Sequence, residues 1–145
     1  MTKLFAPDVQ DLERITLKLR TARTYFFRWE GDSEPNHLLQ ADGVFNPEFV
    51  MCQQARVLAD HVKAVGKPLF IDDIYAHPLI SRKDIVFGHC IRAFAGTPVF
   101  EDSSVVRGVL CTVDNSKRDW SGEDMTVLRA ASRCLAADLE YIECA

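Results

Sequence analysis

A histidine directly before a cysteine, His89-Cys90, is the pairing from which a thiolate nucleophile is made, because an imidazole can take the thiol proton. Successive residues of a strand point to opposite faces, so if both lie in a strand they cannot serve one another, and Cys90 reads as a packed thiol. Asp72, Asp73, His77 and His89 supply oxygen and imidazole donors of the kind that hold a metal. No two of them stand at a recognised ligand spacing. Asp72, Asp73 and His77 read as loop and turn residues, with His77 before Pro78, and no metal is expected. Gly66-Lys67 has the ending of a phosphate-binding loop but lacks the glycine five residues earlier, so it reads as a helix stop. Arg92 is a guanidinium in an otherwise apolar run. It either reaches solvent, pairs with an anion, or bridges to Asp72, Asp73 or Glu101.

The five cysteines, Cys52, Cys90, Cys111, Cys134 and Cys144, are odd in number and form no CxxC pair, which disfavours a disulfide framework and a structural zinc site. The first four sit in apolar runs and are expected as buried, reduced thiols acting as small hydrophobes. Cys144 is expected in solvent.

The elements that must position these residues follow from periodicity. Val9, Leu12, Ile15, Leu19 and Ala22 recur at steps of three and four, which predicts an amphipathic helix over 8–22. The aromatic run 24–29 and the short apolar run 37–40 predict two strands about a polar turn. Helical spacing over 47–65 ends at Gly66-Lys67-Pro68. Residues 69–71 predict a short strand, 74–88 a loop with one irregular helical turn, and 90–100 and 105–113 a pair of hairpin strands apolar enough to be covered on both faces. Ser121 with Asp124 three residues on is a capping arrangement, opening a helix to about residue 142. Met125, Leu128, Ser132, Leu135, Leu139 and Ile142 form one stripe of that helix, and Val127, Ala130, Ala131, Cys134 and Tyr141 form another. One stripe covers the sheet. The other meets the first helix or a second copy of the chain.

The 145 residues are enough for one core, and 48% hydrophobic with 26% charged residues is the composition of a globular domain. With 17 Lys and Arg against 21 Asp and Glu, the net charge of −4 lacks the basic excess that nucleic-acid binding needs. No apolar stretch approaches a membrane span and no signal core follows Met1, so the expected compartment is the cytoplasm, with neither membrane nor nucleic acid as partner.

The sequence resembles the GAF domain family of small-molecule sensors. The resemblance lies in Val65-Gly66-Lys67-Pro68-Leu69-Phe70-Ile71-Asp72-Asp73, in Ile91-Arg92-Ala93-Phe94-Ala95-Gly96-Thr97-Pro98-Val99, in Arg107-Gly108-Val109-Leu110-Cys111-Thr112-Val113-Asp114, and in Arg118-Asp119-Trp120-Ser121-Gly122-Glu123-Asp124-Met125. It covers about residues 59–141. The hairpin tip Asp102-Ser103-Ser104 departs from the glycine turn of many members. The family implies an α+β fold over 1–145 as one domain, with a mostly antiparallel sheet, helices on both faces and the terminal helices packed together.

For function the resemblance implies a sensor or regulatory domain rather than an enzyme, binding a small molecule between one sheet face and the segment 74–88. Carried onto this chain, the pocket residues are Tyr75, His77, Phe87, His89, Arg92 and Phe94, which suit an anionic ligand better than a cation. No cofactor is identified. Asn115, Lys117, Trp120 and Asp124 look like most of a signature of cyclic-nucleotide phosphodiesterase GAF domains, but Ser116 interrupts it and Met125 replaces its last glutamate. A structural bridge from Arg118 or Lys117 to Asp124 is the expectation there. The chain leaves no room for an effector module, so it is expected to act in trans on a signalling partner or through a homodimer of the terminal helices. Two alternatives remain open. One is a thiol enzyme of the free methionine-R-sulfoxide reductase type, although the serine- and glutamate-containing strand of that group is missing. The other is a ligand-free dimerisation or adaptor module.

Overall fold

The computed structural model describes residues 9–29, 37–42, 53–76, 91–101 and 105–144, with side chains at 10–29, 55–76, 91–100 and 105–136. The elements run α1 (Val9–Leu19), β1 (Arg23–Arg28), β2 (His37–Asp42), α2 (Gln53–Val65), β3 (Leu69–Ile71), a single 3-10 turn (Ile74–Ala76), β4 (Ala93–Glu101), β5 (Val105–Asp114) and α3 (Gly122–Cys144). Five strands form one sheet in the order β2-β1-β5-β4-β3. Every neighbouring pair is antiparallel.

Strand periodicity sorts the side chains onto two faces. Tyr25 and Phe27 of β1, with Trp29 just beyond it, share the face of Val109, Cys111 and Val113 of β5, Phe94 of β4 and Ile71 of β3, and α2 closes it with Ala55, Leu58, Ala59 and Val62. The intervening residues, Phe26, Leu110, Ala93, Ala95 and Val99, face Leu12, Ile15 and Leu19 of α1 and Leu128 and Leu135 of α3. A sheet covered on both sides, as the apolar runs predict, with the first and last helices together on one of them, is the α+β architecture that the family resemblance implies. Gly96 has a local reason to lack a side chain, since a Cβ there would come within 2.7 Å of the Phe94 ring.

The helix ends differ instructively. Gly66 closes α2 at φ 73°, its N–H donating to the Val62 carbonyl at 2.8 Å, as its sequence position predicts. α1 was expected to reach residue 22 but ends at Leu19, because Arg20 turns left-handed at φ 56° and the Thr21 N–H closes back on the Thr16 carbonyl at 3.2 Å. That is the stop a glycine usually makes, here made without one. At α3 the capping arrangement is reciprocal: the Asp124 N–H donates to Ser121 Oγ at 3.1 Å and the Ser121 N–H to Asp124 Oδ2 at 3.0 Å. Residues 47–52 of the second expected helix and the tip at 102–104 lie outside the described residues.

Candidate functional site

One end of the sheet collects a group of bonded polar side chains. β3 stops at Ile71, and Asp72 and Asp73 lead into the 3-10 turn. Ile91 and Arg92 lead back into β4, anchored where the Arg92 N–H donates to the Asp114 carbonyl at 2.7 Å and the Ile74 N–H to the Arg92 carbonyl at 2.6 Å. Asp73 and Arg92, nineteen residues apart, are thereby set side by side. Arg92 Nε donates to Asp73 Oδ1 at 2.8 Å and Nη2 to Oδ2 at 3.2 Å, a two-point pairing. Asp73 Oδ1 also accepts the Tyr75 N–H at 3.1 Å, and the Tyr75 ring lies under the guanidinium, 4.3 Å from its centroid.

The Arg92 hydrogen bonds hold the Asp73 carboxyl below the usual aspartate range; the Tyr75 N–H and the charges of Arg92 and Lys117 add to this, against the opposing effect of desolvation. The same pairing raises the Arg92 guanidinium further. Both side chains keep contact with solvent, at 32% for Arg92 and 21% for Asp73.

Of the six residues expected to line a pocket, Tyr75 and Arg92 come together in this group, and Phe94 lies fully buried two residues further along β4 on the α2 face. His77, Phe87 and His89 lie outside the described residues. Of the three bridges open to Arg92, the one to Asp73 is formed. Asp72 serves a different purpose. Its carbonyl accepts the Arg118 N–H at 3.0 Å and its carboxylate the Trp120 N–H at 3.3 Å, while Trp120 Nε1 donates to the Ile71 carbonyl at 2.9 Å. Among the described residues no three potential ligands gather around a metal position.

The bridge expected from Arg118 or Lys117 to Asp124 is not formed. Asp124 is engaged in the cap of α3, and Arg118 instead donates to Asp114 Oδ2 at 3.2 Å, to the Leu19 carbonyl at 2.7 Å and to the Arg20 carbonyl at 2.9 Å. It therefore satisfies the carbonyls that the left-handed turn leaves open at the end of α1. The cysteine expectation needs a correction too. Cys111 is buried, and burial pushes its thiol far up, so it is protonated and inert at neutral pH. Cys134 is exposed, because it falls on the side of α3 turned away from both sheet and α1. Cys52 and Cys90 lie outside the described residues.

Arg23 was not singled out by sequence. It is 1% exposed at the start of β1, its Nη1 3.4 Å from the Tyr25 hydroxyl and its guanidinium 5.8 Å from that ring's centroid. An arginine between a helix end and an aromatic strand reads as an exposed boundary charge. Only the pleat, which turns residue 23 to the same side as Tyr25 and Phe27, buries it.

A sequence model of the GAF domain family matches residues 12–139. No curated protein matches the chain significantly. Among solved structures, the cyanobacteriochrome TePixJ GAF domain is 12% identical with a TM-score of 0.75, covering 99% of this chain and 91% of that one. The GAF domain of the Acinetobacter phosphoenolpyruvate-protein phosphotransferase is 15% identical with a TM-score of 0.70, covering 99% and 90%. Free methionine-R-sulfoxide reductase from Neisseria meningitidis, in complex with its substrate, is 14% identical with a TM-score of 0.68, covering 93% and 77%. At such identities the likeness is one of fold.

Proposed function

The chain belongs to the GAF domain family, and from that membership we propose that it is a sensory or regulatory module that binds a small molecule at the end of the sheet where Arg92, Asp73 and Tyr75 meet. The observation that carries this reading is the guanidinium of Arg92. It is fixed by Asp73 on one edge and by Tyr75 on one face, yet is about one third in solvent, so a rigid donor is presented at the rim of an apolar core. Phe94, and with it His77, Phe87 and His89, belong to the same proposed pocket. A structural neighbour whose fold holds a small substrate, the Neisseria reductase, supports the use of this fold for binding.

The test is a thermal-shift screen of small anions, amino acids and nucleotides with Arg92→Ala as control. A ligand at 100 times its Kd stabilises the fold by about 2.7 kcal/mol, and the reading requires that shift to shrink in the variant. A ligand that stabilises both proteins equally overturns it. Turnover of free methionine sulfoxide in the presence of a thiol reductant would favour the enzymatic reading instead.

We further propose that two copies associate through the terminal helices, the alternative being action in trans on a signalling partner. Ala130 and Cys134 form an exposed, small-residue side of α3 opposite the buried Leu128, Ser132 and Leu135. Ala130→Glu places a charge on that side without entering the core, and sedimentation at micromolar concentration should then report a weakened dimer. A chain that is monomeric at all concentrations contradicts this.

A further inference from the structure

Resting on that reading of the site, we infer that the ligand is zwitterionic: a free α-amino acid whose carboxylate is received by Arg92 and whose ammonium group is received by Asp73. The inference comes from what the pairing leaves over. A guanidinium has five N–H donors, and Asp73 takes two of them, through Nε and Nη2. Both hydrogens of Nη1 and the second of Nη2 have no acceptor among the described residues. On the carboxylate, Oδ1 already accepts from Arg92 Nε and from the Tyr75 N–H, whereas Oδ2 accepts only from Nη2, at 3.2 Å. The site thus offers adjacent unused donors and one unused acceptor, with Tyr75 closing one face of the guanidinium.

A simple anion fits this poorly. The charge of Arg92 is already balanced, and an anion bound to its free edge would lie against the Asp73 carboxylate. A ligand carrying both charges on one carbon, its ammonium nitrogen about 2.5 Å from its carboxylate carbon, meets donor and acceptor together without breaking the pair. Tyr75, 39% exposed beside the pair, offers an apolar surface to a ligand side chain, so an apolar amino acid is the first to try.

The experiment is calorimetric titration of the full chain with L-leucine and L-phenylalanine, each compared with its des-amino acid (isocaproate, hydrocinnamate) and its decarboxylated amine (isoamylamine, phenethylamine). At least one amino acid should bind ten-fold or more tightly than both of its truncated forms, since each truncation leaves a charged site group without its partner. Arg92→Ala should abolish that binding. Asp73→Asn should invert the preference, raising affinity for the des-amino acid above that of the amino acid. Circular dichroism of both variants should match the wild type. If a des-amino acid binds as tightly as its amino acid and still needs Arg92, the zwitterion is wrong while the proposed site stands. If binding is the same in Arg92→Ala, both fall. If neither amino acid binds, the inference is overturned and the site is left to the broader screen.

Discussion

Arg92 and Arg118 lie at the same end of the sheet, each holds an aspartate, and their side chains are similarly shielded, at 32% and 21% exposure. They differ in what else they touch. Arg118 also donates to the carbonyls of Leu19 and Arg20, residues nearly a hundred positions away, and its guanidinium lies 5.0 Å from the Trp120 ring centroid. Among the described residues the Arg92 side chain meets a turn nineteen residues away, and its other donors have no acceptor there. An arginine tied to the backbone of another element is a staple. One fixed on a single edge is a presented group. Charge and burial alone would not separate the two.

The largest effect should come from Arg118→Ala. The exposed carbonyls at the end of α1 lose their donors and Asp114 loses its partner, which should cost about 2 kcal/mol as a lowered urea midpoint at unchanged m. Arg118→Lys should recover little, because one ammonium cannot serve three acceptors in that fork. Equal stability in wild type and Arg118→Ala would break the contrast from the structural side.

A smaller effect, confined to acid, sharpens it from the other side. The folded-state pKa of Asp73 is depressed, so its pairing contributes stability above the unfolded value, about 3.9 for an aspartate, and loses it as the pH falls through the folded value. Wild type should therefore exceed Asp73→Asn in stability at neutral pH by a constant margin that begins to shrink below about pH 4. A margin independent of pH down to full acid unfolding would mean that Asp73 carries no stabilising charge.

Much of this arrangement can be read from sequence where local rules act alone. β3 has its expected limits, Leu69–Ile71, because a helix stop precedes it and two aspartates follow. The Ser121 and Asp124 cap needs only a spacing of three. What escapes is decided by tertiary contact. The end of α1 depends on a left-handed arginine whose carbonyl is taken up by Arg118, so neither half of the feature signals the other. Asp124, an acidic residue six positions on, looked like the partner of Arg118, while its actual acceptors are Asp114, four positions back, and two carbonyls near the other end of the chain. Cys134 lies in an apolar run yet exposed, because a long helix beside a sheet and one other helix buries only part of its girth.

The least effect of all should be seen at the thiols. An alkylating reagent should modify Cys134 in the folded protein and reach Cys111 only after unfolding, as peptide mapping would record. Rapid native labelling of Cys111 would mean that the α2 face opens readily.

Native mass spectrometry of freshly purified wild type and Arg92→Ala bears most directly on the division between staple and presented group. The wild type should carry a small-molecule adduct of defined mass, and Arg92→Ala should give the bare polypeptide mass while remaining folded. The same adduct on both proteins, or none on either, would contradict the assignment of Arg92 to the ligand.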